Sequence, residues 1–333
     1  MNAAPKIAVI GGGIIGLSCA DAFIRQGCSV SVFEKGSRVG AGAAEYNSGM
    51  IHPSQAAPWT ANVSAETIKT VFALALRSKE ILDARLRTFK LTEPSRSEGA
   101  VQLFDSIFLG QQVLKDYERL GIPAHRYGGD ASFGRFGLFF PTDQMADARS
   151  YMTSLGQYLV DNGCDFQLNS RVRLTDDVVG RYDAVIVAGG AESVELCDLP
   201  IKSVQGHALI VDKPPIALPK IPIMHAHSHS ALTVFRNEVR LSGTIDEESP
   251  LVLMEIWEEI APDLLAELGE PKRIWSGQRP VSSLGRPIIS RSKIENAYIC
   301  AGHGHMGWTL CAGSAELLAD IVLKGRDVPE FAY

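Results

Sequence analysis

A short apolar strand ending in a spaced set of glycines constrains this chain more than any other feature. The run Lys6-Ile7-Ala8-Val9-Ile10 is rich in β-branched residues and reads as a parallel strand buried on both faces. It leads into Gly11-x-Gly13-x-x-Gly16 and a helix that begins at Ile14 and Ile15 and continues through Leu17, Ala20 and Ala22. The first glycine permits a tight turn, the second lets a pyrophosphate approach the backbone, and the third lets helix and strand pack closely. Free N–H groups at the start of the helix favour an anion. The next apolar strand, Val30-Ser31-Val32-Phe33, ends in Glu34 and Lys35, and an acid there is placed to bond ribose hydroxyls. Glycines alone are weak, and a ligand-free βα turn is the bland alternative. Strand, glycines, helix, strand and acid in register predict a bound dinucleotide.

Two further buried runs end in small residues: Tyr182 to Val187 before Ala188-Gly189-Gly190, and Ala297 to Ala301 before Gly302. The first offers a second nucleotide-facing crossing. Between Val204 and Gly243 the pattern changes to alternation, which reads as antiparallel strands, two of them joined by a turn at Arg236-Asn237-Glu238. Helical spacing covers Ser64 to Lys90, Gln111 to Leu120, Met145 to Asp161, Leu251 to Leu268 and a last helix through Leu310, Leu317 and Ile321. Val172-Arg173-Leu174 reads as strand-like. The fold class is therefore α/β with an α+β second domain. A Rossmann-like domain is expected from the discontinuous segments 1–55, 137–203 and 280–333. An antiparallel-sheet substrate domain is expected from 56–136 and 204–279.

Other classes recede. A net charge of −6 lacks the basic excess that nucleic acid favours. No run of eighteen apolar residues predicts a membrane span, though peripheral membrane contact stays open. The strand beginning by Lys6 leaves no room for a signal peptide. Six cysteines without CxxC spacing suit a reduced, cytoplasmic protein. His225, His227 and His229 alternate, so on a strand they would share a face. A metal site there is set aside because no carboxylate or cysteine accompanies them.

Toward the C-terminus, Gly277-Gln278-Arg279-Pro280, then Gly302-His303-Gly304-His305-Met306-Gly307-Trp308-Thr309 and Gly313, resemble the flavin-dependent D-amino acid oxidase superfamily. The likeness is greatest to its D-amino acid dehydrogenase and glycine oxidase branch, helped by Ala57-Pro58-Trp59. It extends over most of the chain. The resemblance implies FAD, with its pyrophosphate at Gly11, Gly13 and Gly16 and its ribose on Glu34. Asn47, Ser48, Gly49 and Met50 would run along the isoalloxazine ring, and Gly302 to Thr309 would cover its pyrimidine side. Val172 is counted with these cofactor-binding residues. The positive end of the last helix would stabilise charge on the reduced ring.

The implied reaction is oxidative deamination of a D-amino acid, or a related small amino or imino acid. Hydride passes from Cα to flavin N5, and a 2-oxo acid and ammonia follow. Electrons leave to a quinone or to O2. Arg279, held by the stiff Gln278-Arg279-Pro280 backbone, offers a two-pronged donor for the carboxylate. Relatives draw pocket tyrosines from the region where this chain has histidines, so His227 is assigned a hydrogen-bonding role there. His52 is set near the pocket mouth, and Arg240 matches a position near flavin N5 or else an exposed strand residue. Ser283-Leu284-Gly285-Arg286-Pro287 lacks the aspartate common in the family, so that residue's role is missing or supplied elsewhere. The chain is also compact beside typical D-amino acid dehydrogenases, which makes glycine, sarcosine, D-proline or hydroxyproline competing substrates. A non-catalytic flavin-binding subunit with a partner chain is the reading of another class.

Overall fold

The computed structural model describes residues 3–56, 63–91, 97–174, 179–243, 249–326 and 328–333. Ala57-Pro58-Trp59 lies outside them. Two sheets organise the chain. The first runs Ile288–Arg291, Ala297–Ala301, Ala184–Val187, Lys6–Ile10, Ser29–Phe33, Asp165–Gln167. Its pairs are parallel except the antiparallel edge pair Ile288–Arg291 with Ala297–Ala301. The strand before the glycines thus sits centrally, flanked by a strand from the middle of the chain. Both faces of that strand are buried, as its continuous apolar run requires.

One face of this sheet is covered by the helices Ile14–Arg25, Ala148–Asp161 and Gly307–Lys324, with Ala65–Thr88 packed outside them. Leu17, Phe23, Leu82, Leu155, Tyr151 and Trp308 meet in that core. The last helix is long and apolar enough to cross a membrane by composition, but two-thirds of its most apolar window is buried against the other helices. That is the environment of a core helix. Ser64 accepts the Thr67 amide at 3.1 Å and caps Ala65–Thr88. Ser64→Ala should cost about 1 kcal/mol, seen as a melting temperature lower by about 2 °C.

The second sheet runs Arg273–Ser282, Ile201–Asp212, Glu238–Gly243, Ser230–Val234, Ile223–His225, Ser97–Phe104, Phe136–Met145, Met50–Ile51. It is antiparallel save for Ile223–His225 against Ser97–Phe104. The expected turn after Val234 is present, with the Phe235 amide bonded to Glu238 O at 2.8 Å. One face packs on the helices Val252–Ile260 and Pro262–Leu268 around the fully buried Trp257. The opposite face carries Met50, Ala100, Met224 and Ala231.

Several expectations are corrected. The helix predicted over 251–268 is two helices, because Pro262 lacks an N–H and pushes Ala261 out of helical geometry (φ −145°, ψ 65°). Val172-Arg173-Leu174 is not a strand. The predicted helix at Met145 starts at Ala148, since Met145 pairs with Met50 in the second sheet. Sheet membership also departs from the expected segments. Phe136–Met145 and Met50–Ile51, expected with the first unit, belong to the second sheet, and Ile201–Asp212 starts there three residues early.

Candidate functional site

Between the two sheets lies a cavity of about 1290 Å³. One end is built by the first strand and its glycines. Gly13 caps the helix Ile14–Arg25 with no side chain bonded to its free amides. A Cβ on Gly13 would meet no protein atom within 4 Å, so that position opens on space. On Gly16 a Cβ would stand 1.8 Å from Gly11 O, which makes this glycine a packing necessity. Glu34 accepts the amides of Gly12 and Gly36, each at 2.7 Å, and its carboxylate lines the cavity. Each carboxylate oxygen retains a further lone pair for a ribose hydroxyl. An open phosphate-sized cradle, unsatisfied helix amides and a fixed acid fit the adenosine-diphosphate end of FAD.

Most expected cofactor residues line this cavity: Gly11, Gly13, Ile14, Ile15, Glu34, Lys35, Asn47, Ser48, Met50, Val172, Ala188, Gly189, Gly190, Gly302, His303, Gly304, Gly307 and Trp308. Four stand behind it. Gly16 packs the helix. Gly49 (φ +74°) presents its carbonyl to Trp308 Nε1 at 3.2 Å and leaves no room for a Cβ beside Phe235. Thr309 Oγ1 accepts the His52 amide at 3.0 Å, and Met306 is core. These contacts hold the positive end of the last helix, which carries no side-chain cap, against the cavity wall.

The other end is floored by the second sheet. Arg279 is half-buried in the cavity wall, and its Nη2 donates to Gly243 O at 3.2 Å. Its guanidinium lies over Gly206, where a Cβ would come within 2.7 Å of Cζ. Among the described residues it has no carboxylate partner, and burial draws its pKa down to about 10, so it stays charged at neutral pH. Around it stand neutral imidazoles. His52 and His305 stack with centroids 5.6 Å apart. Burial, and then the Arg279 charge, pull His52 down to about 4. Burial and the neighbouring His52 bring His305 to about 3, and burial brings His303 to about 3. His303 Nε2 meets Ser314 Oγ at 3.0 Å, while its Nδ1 and the Nδ1 of His52 are buried without partners.

The expected role of His227 is corrected. The strand ends at His225, and residues 226–229 form a turn, so the three histidines do not share a face. His227 is exposed and does not line the cavity, whereas His225 and His229 do. His225 is spoken for by Asp105 at 3.0 Å and Ser228 at 2.9 Å. Arg240 is neither exposed nor at the cavity. It is buried over the Phe235 ring at 4.0 Å and bonds Glu238, Asp147 and Asn47 O, pinning the loop that carries Asn47.

Sequence reasoning missed Gly206 and Gln102 and set His52 too far out. A glycine inside a strand and a glutamine inside Val101-Gln102-Leu103 were the available signals. Behind Ser54, Asp143 is fully buried and accepts the Ser54 amide at 3.0 Å and its hydroxyl at 2.6 Å. Burial lifts its pKa from 3.8 to about 7. The folded state therefore binds the proton more tightly than the unfolded chain, and stability falls as pH rises from about 4 to about 7. Asp143→Asn should flatten that slope, so its melting temperature gains on wild type at pH 8 relative to pH 5. Parallel pH profiles would refute the assignment.

A family model described as FAD dependent oxidoreductase matches residues 6–321. Solved structures share the fold. Glycine oxidase from Bacillus cereus aligns with a TM-score of 0.79 at 21% identity, covering 97% of this chain and 96% of that one. Iminodiacetate oxidase from a Chelativorans species gives 0.81 at 21% identity, with 98% of each chain covered. L-proline dehydrogenase from P. horikoshii gives 0.75 at 18% identity, covering 98% of this chain and 95% of that one.

Proposed function

The chain belongs to the FAD-dependent oxidoreductase family, and on that premise we propose that it oxidises the CH–NH bond of a small amino or imino acid, D-amino acids first. The observation that carries the proposal is Arg279: a half-buried, charged guanidinium lining the cavity, with no carboxylate partner among the described residues. A partly desolvated cation without a counter-charge is unfavourable, and a substrate carboxylate offsets that cost. An amine without a carboxylate would leave the guanidinium unpaired.

FAD supplies the two-electron acceptor for the substrate Cα–H bond. Gly11, Gly13, Ile14, Ile15 and Glu34 would hold its adenosine-diphosphate end, and the loop at Asn47 to Met50 with Gly302 to Trp308 would enclose its ring. Arg279 fixes the carboxylate, which sets the orientation of Cα. With His52 and His305 neutral, Arg279 is the single charge at that end among the described residues, so a zwitterion sheds its ammonium proton more readily beside it. The imine product then hydrolyses to a 2-oxo acid. In this proposal the parallel sheet serves the cofactor and the antiparallel sheet floors the substrate.

The purified protein should be yellow, and anaerobic mixing with D-amino acids, D-proline, glycine and sarcosine should bleach it with at least one of them. A yellow protein that none of these bleaches sinks the substrate assignment. Turnover of the isolated chain with O2 or a quinone analogue then identifies the acceptor, and no turnover with either favours the partner-subunit reading.

A further inference from the structure

The floor of the cavity beyond Arg279 is a single row across the second sheet. Register places Ser242, Ala231, Met224 and Gln102 opposite one another on adjacent strands. Cross-strand partners project to the same face. All four line the cavity. The row is apolar in its middle, where Met224 and Ala231 pack with Met50 and Ala100, and polar at its far end. Gln102 Oε1 is buried there with no hydrogen-bond partner, and His52 Nδ1, also unpartnered, belongs to the same cavity.

Buried polar atoms without partners are costly, and among the described residues no contact offsets that cost for Gln102 Oε1. Its place suits a ligand group. The strand of Gly243, which accepts from Arg279, and the strand of Gln102 are three neighbours apart. That is about 14 Å at ordinary strand spacing. A hydrogen bond of roughly 3 Å at each end leaves about 8 Å between. Glycine does not span this gap, whereas a side chain of four or five heavy atoms does. The charged residues lining the cavity besides Arg279 are Glu34, Lys35, Arg171, Arg173, Glu192 and Glu195, all grouped with the adenosine-end segments. Among the described residues that line the cavity, none beside Gln102 offers a counter-charge to an acidic or basic side chain.

Resting on the amino acid reading above, we propose that Gln102 recognises the far end of the substrate side chain. The preferred substrates are then amino acids with an extended apolar stem and an uncharged hydrogen-bonding terminus, such as an amide or urea. Met224 and Ala231 support the stem, and Gln102 pairs with the terminus.

The test compares kcat/KM for both enantiomers of glutamine and citrulline with norleucine, glutamate and lysine, using FAD-loaded protein and an artificial acceptor. Glutamine or citrulline should exceed the charged and hydrocarbon analogues by at least about tenfold, because the latter leave the glutamine unpaired or bury a lone charge. Gln102→Leu should lower the ratio of amide to norleucine activity by a similar factor. Gln102→Glu should raise the ratio of lysine to norleucine. The readouts are ratios, so a variant with generally weakened activity still reports. Equal wild-type activity on all five, or ratios unmoved in both variants, overturns the role of Gln102. Flavin reduction by glycine or proline without any such preference overturns this inference alone. No reduction by any amino acid overturns the underlying function as well.

Discussion

Arg279→Met should lower kcat/KM for an amino acid substrate by about 30- to several-thousand-fold while the flavin spectrum is retained. The range follows from the roughly 2–5 kcal/mol lost when one side of a desolvated charge pair is removed, with about 1.4 kcal/mol per factor of ten. The loss should fall on the carboxylate. Oxidation of the corresponding decarboxylated amine, slow in both proteins, should change little. Gly206→Ala is the companion test, since the added Cβ would stand 2.7 Å from Arg279 Cζ and must push the guanidinium off the floor. It should reproduce a large part of the Arg279→Met defect with the arginine still present. A Michaelis constant within a few-fold of wild type in both variants would remove Arg279 from the substrate site. Arg279→Lys should rescue little, because a point charge replaces a planar fork.

The second large effect is expected at the glycines of the first turn, and it separates packing from ligand contact. Gly16→Ala puts a Cβ 1.8 Å from a backbone carbonyl, so the helix must move away from the central strand. Overpacking of this kind costs about 1–3 kcal/mol, and the purified protein should be colourless and melt several degrees lower. Gly13→Ala meets no protein atom within 4 Å. It should leave the cofactor-free protein about as stable as wild type yet still weaken FAD retention, because the methyl takes the space of the pyrophosphate. Titration of FAD into both stripped proteins, with melts alongside, distinguishes the two. Full FAD retention in Gly13→Ala would mean that the cofactor does not touch this turn.

The cofactor half of the site is legible in the sequence because local chain chemistry dictates it. A buried strand, glycines at fixed spacing and an acid at a strand end each have a purely local cause, and Gly11, Gly13, Glu34, Ala188 to Gly190 and Gly302 to Gly304 all meet at one cavity. The substrate half depends on which strands lie side by side, and sequence spacing does not report that. Choosing His227 assumes that the strand continues past His225. Instead the chain turns over residues 226–229, and alternate positions no longer share a face. Gly206 reads as a gap in a strand until Arg279 is seen folded over it. Gln102 and Ser242 are far apart in the chain and share a row only through three intervening pairings.

The parallel sheet carries a consequence for how the protein is made. Lys6–Ile10 pairs with Ala184–Val187, which pairs in turn with Ala297–Ala301, and the first helix packs on the last. A ribosome that has released only the N-terminal half therefore holds a glycine turn with one wall missing. Pairings between such distant segments form late and slowly. The nucleotide cradle is complete only once the helix Gly307–Lys324 has docked on the first. An FAD that binds only the docked form would stabilise the packing of the first helix on Gly307–Lys324. Cells short of riboflavin should accumulate this protein open at its C-terminal helix and cut there first by proteases.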